Sequence, residues 1–100
     1  MNISIERKDH TIATVTGRID TLTANELEHK VLPLITEGKP TLEINCVGVN
    51  YISSSGLRVF LIANKATKAI GGSVIITGLG QELRTLFEVT GLTELFEFRY

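Results

Sequence analysis

Apolar residues in this chain recur with two periods that take turns, and glycines mark most of the changes between them. A period of two suits a strand with one buried face, and a period near 3.6 suits a helix with one buried stripe. That alternation restricts the fold more than any single residue does. Ile3 and Ile5 alternate with polar neighbours, Arg7 to His10 is a polar turn, and Thr11 to Thr16 alternates again before Gly17. This pattern predicts an antiparallel hairpin whose second strand closes at Gly17.

The next segment changes period. Thr23-Ala24-Asn25-Glu26 has the form of a capping box, a hydroxyl residue followed three places on by glutamate. Ala24, Leu27, Val31, Leu34 and Ile35 follow at helical spacing. Pro33 removes a backbone donor and predicts a kink or an early end, and Gly38 and Pro40 close the segment. Thr41 to Val47 reads as a strand with Leu42, Ile44 and Cys46 on one face, and Val49, Tyr51 and Ile52 continue towards Ser53-Ser54-Ser55. A second helix is predicted from about Gly56 to Ile70, with Arg58, Lys65 and Lys68 on its wet side and Gly71-Gly72 as its stop. Ser73 to Thr77 is a short strand of the buried kind, and a turn at Gly78 and Gly80 follows it. Gln81 to Thr90 predicts a third helix that buries Leu83, Leu86 and Phe87 and is capped at Gly91. Leu92, Leu95, Phe96 and Phe98 suggest a last short strand. The order is β-β-α-β-α-β-α-β, an α/β arrangement whose mixed sheet is flanked by helices.

The 100 residues suit one domain spanning 1–100, with the ordinary globular balance of 43% hydrophobic and 21% charged residues. A net charge of -1 supplies no electrostatic footprint for nucleic acid or an anionic membrane. Cys46 is the single cysteine, so no intrachain disulfide forms, as suits a reducing compartment. Met1 to Lys8 carries charge where a signal peptide needs an apolar stretch, and no run approaches the ~18 apolar residues of a spanning helix. The expectation is a soluble, cytoplasmic protein with no direct contact to nucleic acid and no membrane insertion.

Three hydroxyls stand together where a strand gives way to a helix, and they are the most informative candidates for function. Serine is a preferred N-cap, which accounts for one of Ser53, Ser54 and Ser55. The other use of such a place is phosphorylation, because helix-start N–H groups and partial positive charge receive a phosphate without melting the helix. Enzymatic readings are poorer. His10 and His29 are not placed beside a nucleophile, and the run lacks the glycine two residues before Ser54 that a hydrolase elbow requires. Cys46 alternates with core residues, no clustered metal ligands appear, and Gly78-Leu79-Gly80 is too short for a dinucleotide fingerprint. No metal, cofactor or enzymatic activity is expected.

Tyr51-Ile52-Ser53-Ser54-Ser55-Gly56-Leu57 resembles the signature loop of STAS domains in anti-sigma factor antagonists, whose usual form is an apolar residue, Asp, Ser, Ser or Thr, Gly and Leu. Thr16-Gly17-Arg18-Ile19-Asp20 is similar to that family's Thr-Gly-x-Leu-Asp segment. Leu42 to Asn45, Gly71-Gly72 and Arg84 to Leu92 match further pieces in order. The resemblance implies a STAS-type sheet and a non-enzymatic binding module. In such modules the unphosphorylated form binds an anti-sigma factor and frees sigma factor, and that anti-sigma factor is the serine kinase. By position, Ser54 is the implied acceptor, Ser55 its neighbour at the cap and Asp20 the nearby carboxylate. Gly56 and Arg58 complete the implied partner surface. Two positions depart from the pattern: Ser53 stands where Asp is usual, and Arg58 where Gly is common. A constitutive scaffold subunit, for instance in a transport assembly, is the alternative from another class, and a small serine hydrolase is the third.

Overall fold

A computed structural model describes residues 1–35 and 40–99. Five strands form one sheet in the order β1-β2-β3-β4-β5. They are β1 (Asn2–Arg7), β2 (Thr11–Ile19), β3 (Thr41–Ile52), β4 (Ser73–Thr77) and β5 (Glu97–Arg99). β1 and β2 pair antiparallel, and β2 to β5 are all parallel. Helices α1 (Thr21–Val31), α2 (Ser54–Ala69) and α3 (Gln81–Val89) make the crossovers. The element order is the one predicted, and no helix among the described residues is long and apolar enough to cross a membrane.

Register explains which side chains go inside. Ile5, Ala13, Ile44, Ile76 and Phe98 form one row across all five strands, and Leu42 pairs with Val74 beside it. Ala13, Ile44 and Ile76 are buried in the core with Leu27, Val31, Phe60 and Ala63 of the helices. Neighbouring rows, Glu6-Ile12-Glu43-Ile75-Glu97 and Ser4-Thr14-Asn45-Thr77-Arg99, point the other way because side chains alternate along a strand. On that opposite face Glu43 accepts from Thr77 Oγ1 at 2.9 Å and lies 2.8 Å from His10 Nε2. These bonds, with the His10 bond foremost, hold the Glu43 carboxyl below its usual range.

Two strands run further than the sequence pattern implies. β2 continues to Ile19, with Gly17 at φ +95° inside the strand and still paired with Val49 of β3. β3 continues to Ile52 instead of stopping near Val47. Its buried positions pass from Leu42, Ile44 and Cys46 to Val49 and Ile52, a change of period from two to three. The register against β2 slips twice there, each time with one extra residue on β3. The bulges hide the strand from a period-two reading and leave Val47 exposed.

Helix ends follow local chemistry. α1 stops at Val31 and gives way to a 3₁₀ turn over Leu32–Leu34 that contains Pro33, as the missing donor requires. Gly38 lies outside the described residues. α2 ends with Gly72 N donating to Thr67 O at 2.9 Å and Gly71 N to Lys68 O at 3.1 Å. α3 ends the same way, with Leu92 N on Phe87 O at 2.9 Å and Gly91 N on Glu88 O at 3.1 Å. Both are Schellman closures, with Gly71 and Gly91 at positive φ.

Phe87 joins α3 and β5 to the core. Its ring meets Phe60, Phe96 and Phe98 edge to face at centroid distances of 5.8, 6.0 and 5.5 Å, and it is fully buried. Phe87→Ala removes the shared partner of three rings and leaves a cavity. The expected loss is about 3–5 kcal/mol, read by urea denaturation with an unchanged m-value. A loss under ~1 kcal/mol would mean that the cluster does not hold α3.

Candidate functional site

The C-terminal ends of β2 and β3 lie side by side, with Arg18 opposite Tyr51 and Ile19 opposite Ile52. Each strand then turns into a helix start. Asp20 follows Ile19 and caps α1, and Ser53 follows Ile52 and caps α2. The register therefore brings together two segments some thirty residues apart in the sequence. Ser53 N donates to Ile19 O at 2.8 Å, which ties the second turn to the first strand.

Asp20 Oδ1 accepts from Leu22 N at 3.0 Å and Thr23 N at 2.9 Å, while Asp20 N donates to Thr23 Oγ1 at 2.8 Å. The capping box is thus Asp20 with Thr23, and not Thr23 with Glu26 as the sequence suggested. A carboxylate takes the cap because it accepts charge-assisted bonds and offsets the positive end of the helix dipole. The same bonds lower the Asp20 pKa, led by the Thr23 amide and its hydroxyl, with Arg18 adding a smaller favourable charge.

At α2 the cap is Ser53, whose Oγ accepts from Gly56 N at 3.1 Å. The sequence reading put this role on Ser55. The helix begins two residues earlier than Gly56, so Ser55 falls inside its first turn and Ser53, with extended backbone at φ −79° and ψ 171°, is the residue placed to cap it. Ser53 stands where the signature loop usually has Asp, and its hydroxyl supplies the acceptor there. Ser54 is exposed at the first helical position and Ser55 is half-buried. Gly56 is buried, and a Cβ on it would come within 2.7 Å of Ile19 Cγ2 and 3.0 Å of Ile52 Cγ2. The start of α2 is therefore pressed onto the ends of both strands, and the serine run has little room to shift.

Charge and apolar surface surround the run. Arg18 lies over the Tyr51 ring at 4.3 Å from its centroid, a cation–π contact beside both helix starts. Arg58 is exposed one turn along α2 from Ser54. Leu22, beside the Asp20 cap, is 83% exposed, and Tyr51, at the end of β3, is 40% exposed. A depression of about 300 Å³ adjoins it, lined by Val49, Asn50, Gly80, Gln81, Glu82 and Leu83. The sequence reading missed Arg18 and Leu22. For Leu22 the signal available was an apolar residue two places after a capping carboxylate, where helices are solvated.

The other titratable groups lie elsewhere. His10 is engaged with Glu43 on the opposite face of the sheet, and His29 is exposed on α1. Cys46 is fully buried, and burial pushes its thiol up to about 12, far from a nucleophile's range. Among the described residues no group of three His, Cys, Asp or Glu side chains could hold a metal ion.

The family model for the STAS domain matches residues 2–100. The anti-sigma-B factor antagonist of Listeria monocytogenes is 35% identical over 103 residues, covering 99% of this chain and 90% of that protein. The chain belongs to the STAS domain family, on its anti-sigma factor antagonist side. Two solved structures share the fold at 19% identity. They are the anti-sigma factor antagonist SpoIIAA in its unphosphorylated form, with TM-score 0.81, 97% of this chain and 87% of that one covered, and the Bacillus SpoIIAA in its phosphorylated form, with TM-score 0.74 and coverages of 97% and 90%.

Two cap substitutions separate the serines. Ser53→Ala is expected to cost about 0.5–2 kcal/mol, whereas Ser55→Ala costs less than half as much. Ser53→Asp keeps the cap and is at least as stable as the wild type, since a carboxylate suits the helix start. Urea denaturation of the three variants checks the order. A larger loss in Ser55→Ala than in Ser53→Ala would return the cap to Ser55.

Acid weakens the other cap. The lowered Asp20 pKa means that its contribution is present above the ordinary carboxylate range and is lost as pH falls through the lowered value. The stability gap between wild type and Asp20→Asn should therefore be constant near neutrality and shrink below the ordinary carboxylate range. A gap that widens on acidification would contradict the assignment.

Proposed function

We propose that this protein is a phospho-regulated antagonist of an anti-sigma factor. Unphosphorylated, it binds the anti-sigma factor and so frees sigma factor. The anti-sigma factor is the serine kinase, and the phosphate it places on Ser54 ends the binding. The protein works as a single cytoplasmic binding domain, without catalytic activity or cofactor.

One observation carries the reading. Ser54 is the exposed hydroxyl of the three, at the first position of a helix whose start is fixed by Ser53 and Gly56. A phosphate there meets helix amides and a favourable dipole, so the modified domain stays folded. The presence of Ser53 in place of Asp is compatible with this, since its hydroxyl retains the capping bond. The relatives' names support the partner class, and the two SpoIIAA structures supply a case of this fold in both phosphorylation states.

The face around Ser54 suits a protein partner. Leu22 and Tyr51 provide exposed apolar area, and Arg18 and Arg58 provide charge at the same end of the sheet. Closing such a face over an unmatched negative charge costs about 2–5 kcal/mol, or tens- to thousands-fold in affinity.

The test uses the anti-sigma factor kinase of the same cell, with ATP, in a calorimetric titration. Ser54→Ala should bind constitutively and take up no phosphate, and Ser54→Asp should lose binding by the factor above with little change in melting temperature. Equal affinity of a folded Ser54→Asp and the wild type would leave a constitutive scaffold as the better reading.

A further inference from the structure

We propose that Arg58 is the built-in counter-charge for a phosphate on Ser54, so that modification both adds an anion and withdraws a cation from the partner face. The proposal rests on the reading of Ser54 as the acceptor.

The geometry is that of one helix. Ser54 and Arg58 are four residues apart on α2 and both are exposed, so they are neighbours on its solvent side. The order matters as well as the spacing. An anionic group N-terminal to a cation at this separation is the favourable arrangement, and the phosphate at the first helical position also meets the positive end of the helix dipole. A guanidinium can meet two phosphate oxygens with a planar pair of N–H donors.

The other charges nearby are less suited. Arg18 is held over the Tyr51 ring and lies in the field of the Asp20 carboxylate. Lys65 and Lys68 are two or more turns further down α2. Asp20 is a like charge beside the site and favours a phosphate that finds a cation close by. Among the described residues Arg58 makes no ion pair that a phosphate would have to break. Arg58 is also one of the two departures from the signature pattern, so the pairing is a property of this chain.

The consequence is a switch with two parts. Before modification the guanidinium is free to meet a carboxylate of the partner. Afterwards it is folded back onto the phosphate, and the same patch presents net negative charge. The first turn of α2 gains an intrahelical ion pair, so phosphorylation tightens the helix start.

The test installs phosphoserine at position 54 during translation, which removes any need for a kinase. The full chain is compared with Arg58→Gln and Arg58→Lys in the same phosphorylated form, and ³¹P NMR follows the second ionisation of the phosphate against pH. Gln and Lys are good helix formers, so α2 persists in each variant. The midpoint should lie about 0.2–0.4 pH units lower in the wild type than in Arg58→Gln. Arg58→Lys should fall between them, and 0.5 M salt should narrow the gap. Coincident midpoints in wild type and Arg58→Gln would overturn the pairing. Because the phosphate is installed directly, a chain that no cellular kinase modifies would still show the gap, and that failure would count against the choice of acceptor alone.

Discussion

The pairing of the last residues of β2 and β3 is the constraint on which the site depends. Ile19 and Ile52 lie opposite each other, both are buried, and Gly56 packs against them at a distance that admits no side chain. The bond from Ser53 N to Ile19 O closes the join. Parallel neighbours with right-handed crossovers must start their helices at the same end of the sheet. Two helix starts, two caps and the serine run therefore arrive together as a consequence of the core.

The arrangement gives three adjacent serines three different environments. Ser53 spends its hydroxyl on Gly56 N and is a structural residue. Ser55 is half-buried within the first turn, and Ser54 is left exposed on a fixed scaffold. A phosphate on Ser54, as proposed, would change charge while the Ser53 cap and the helix start stay intact. The same logic accounts for the substitution of Ser for Asp at position 53. The cap needs an oxygen acceptor with extended backbone, and either residue supplies one.

The two faces of the sheet have different chemistry. One carries the row from Ile5 to Phe98 and is sealed by helices, with the four phenylalanines holding α3 and β5 in place. The other is rich in Thr, Ser and Glu, and Glu43 joins the His10 turn to β4 through two hydrogen bonds. Leu22 and Tyr51 stand exposed at the C-terminal end of β2 and β3. Large apolar residues placed in solvent beside the proposed modification site fit a surface that is covered part of the time.

Element types and their order were legible in the sequence, because the two hydrophobic periods and the glycine stops are local properties. Gly71, Gly91 and Pro33 end helices through backbone chemistry that neighbouring residues cannot override. The loop around Ser53 to Ser55 was legible for the same reason, as three hydroxyls at a change of period. Boundaries that depend on a partner strand were not. β3 runs on to Ile52 because two bulges let it follow β2, and a bulge appears in the sequence only as a lost alternation. The caps also belonged to the tertiary structure. Thr23 and Ser55 were plausible caps by type, but β2 and β3 end at Ile19 and Ile52, and the residue after each strand end takes the position whose oxygen faces the free amides. Sequence chemistry thus determined what each segment could become, and the register between two parallel strands decided which oxygen caps, which serine is exposed and which charges stand beside it.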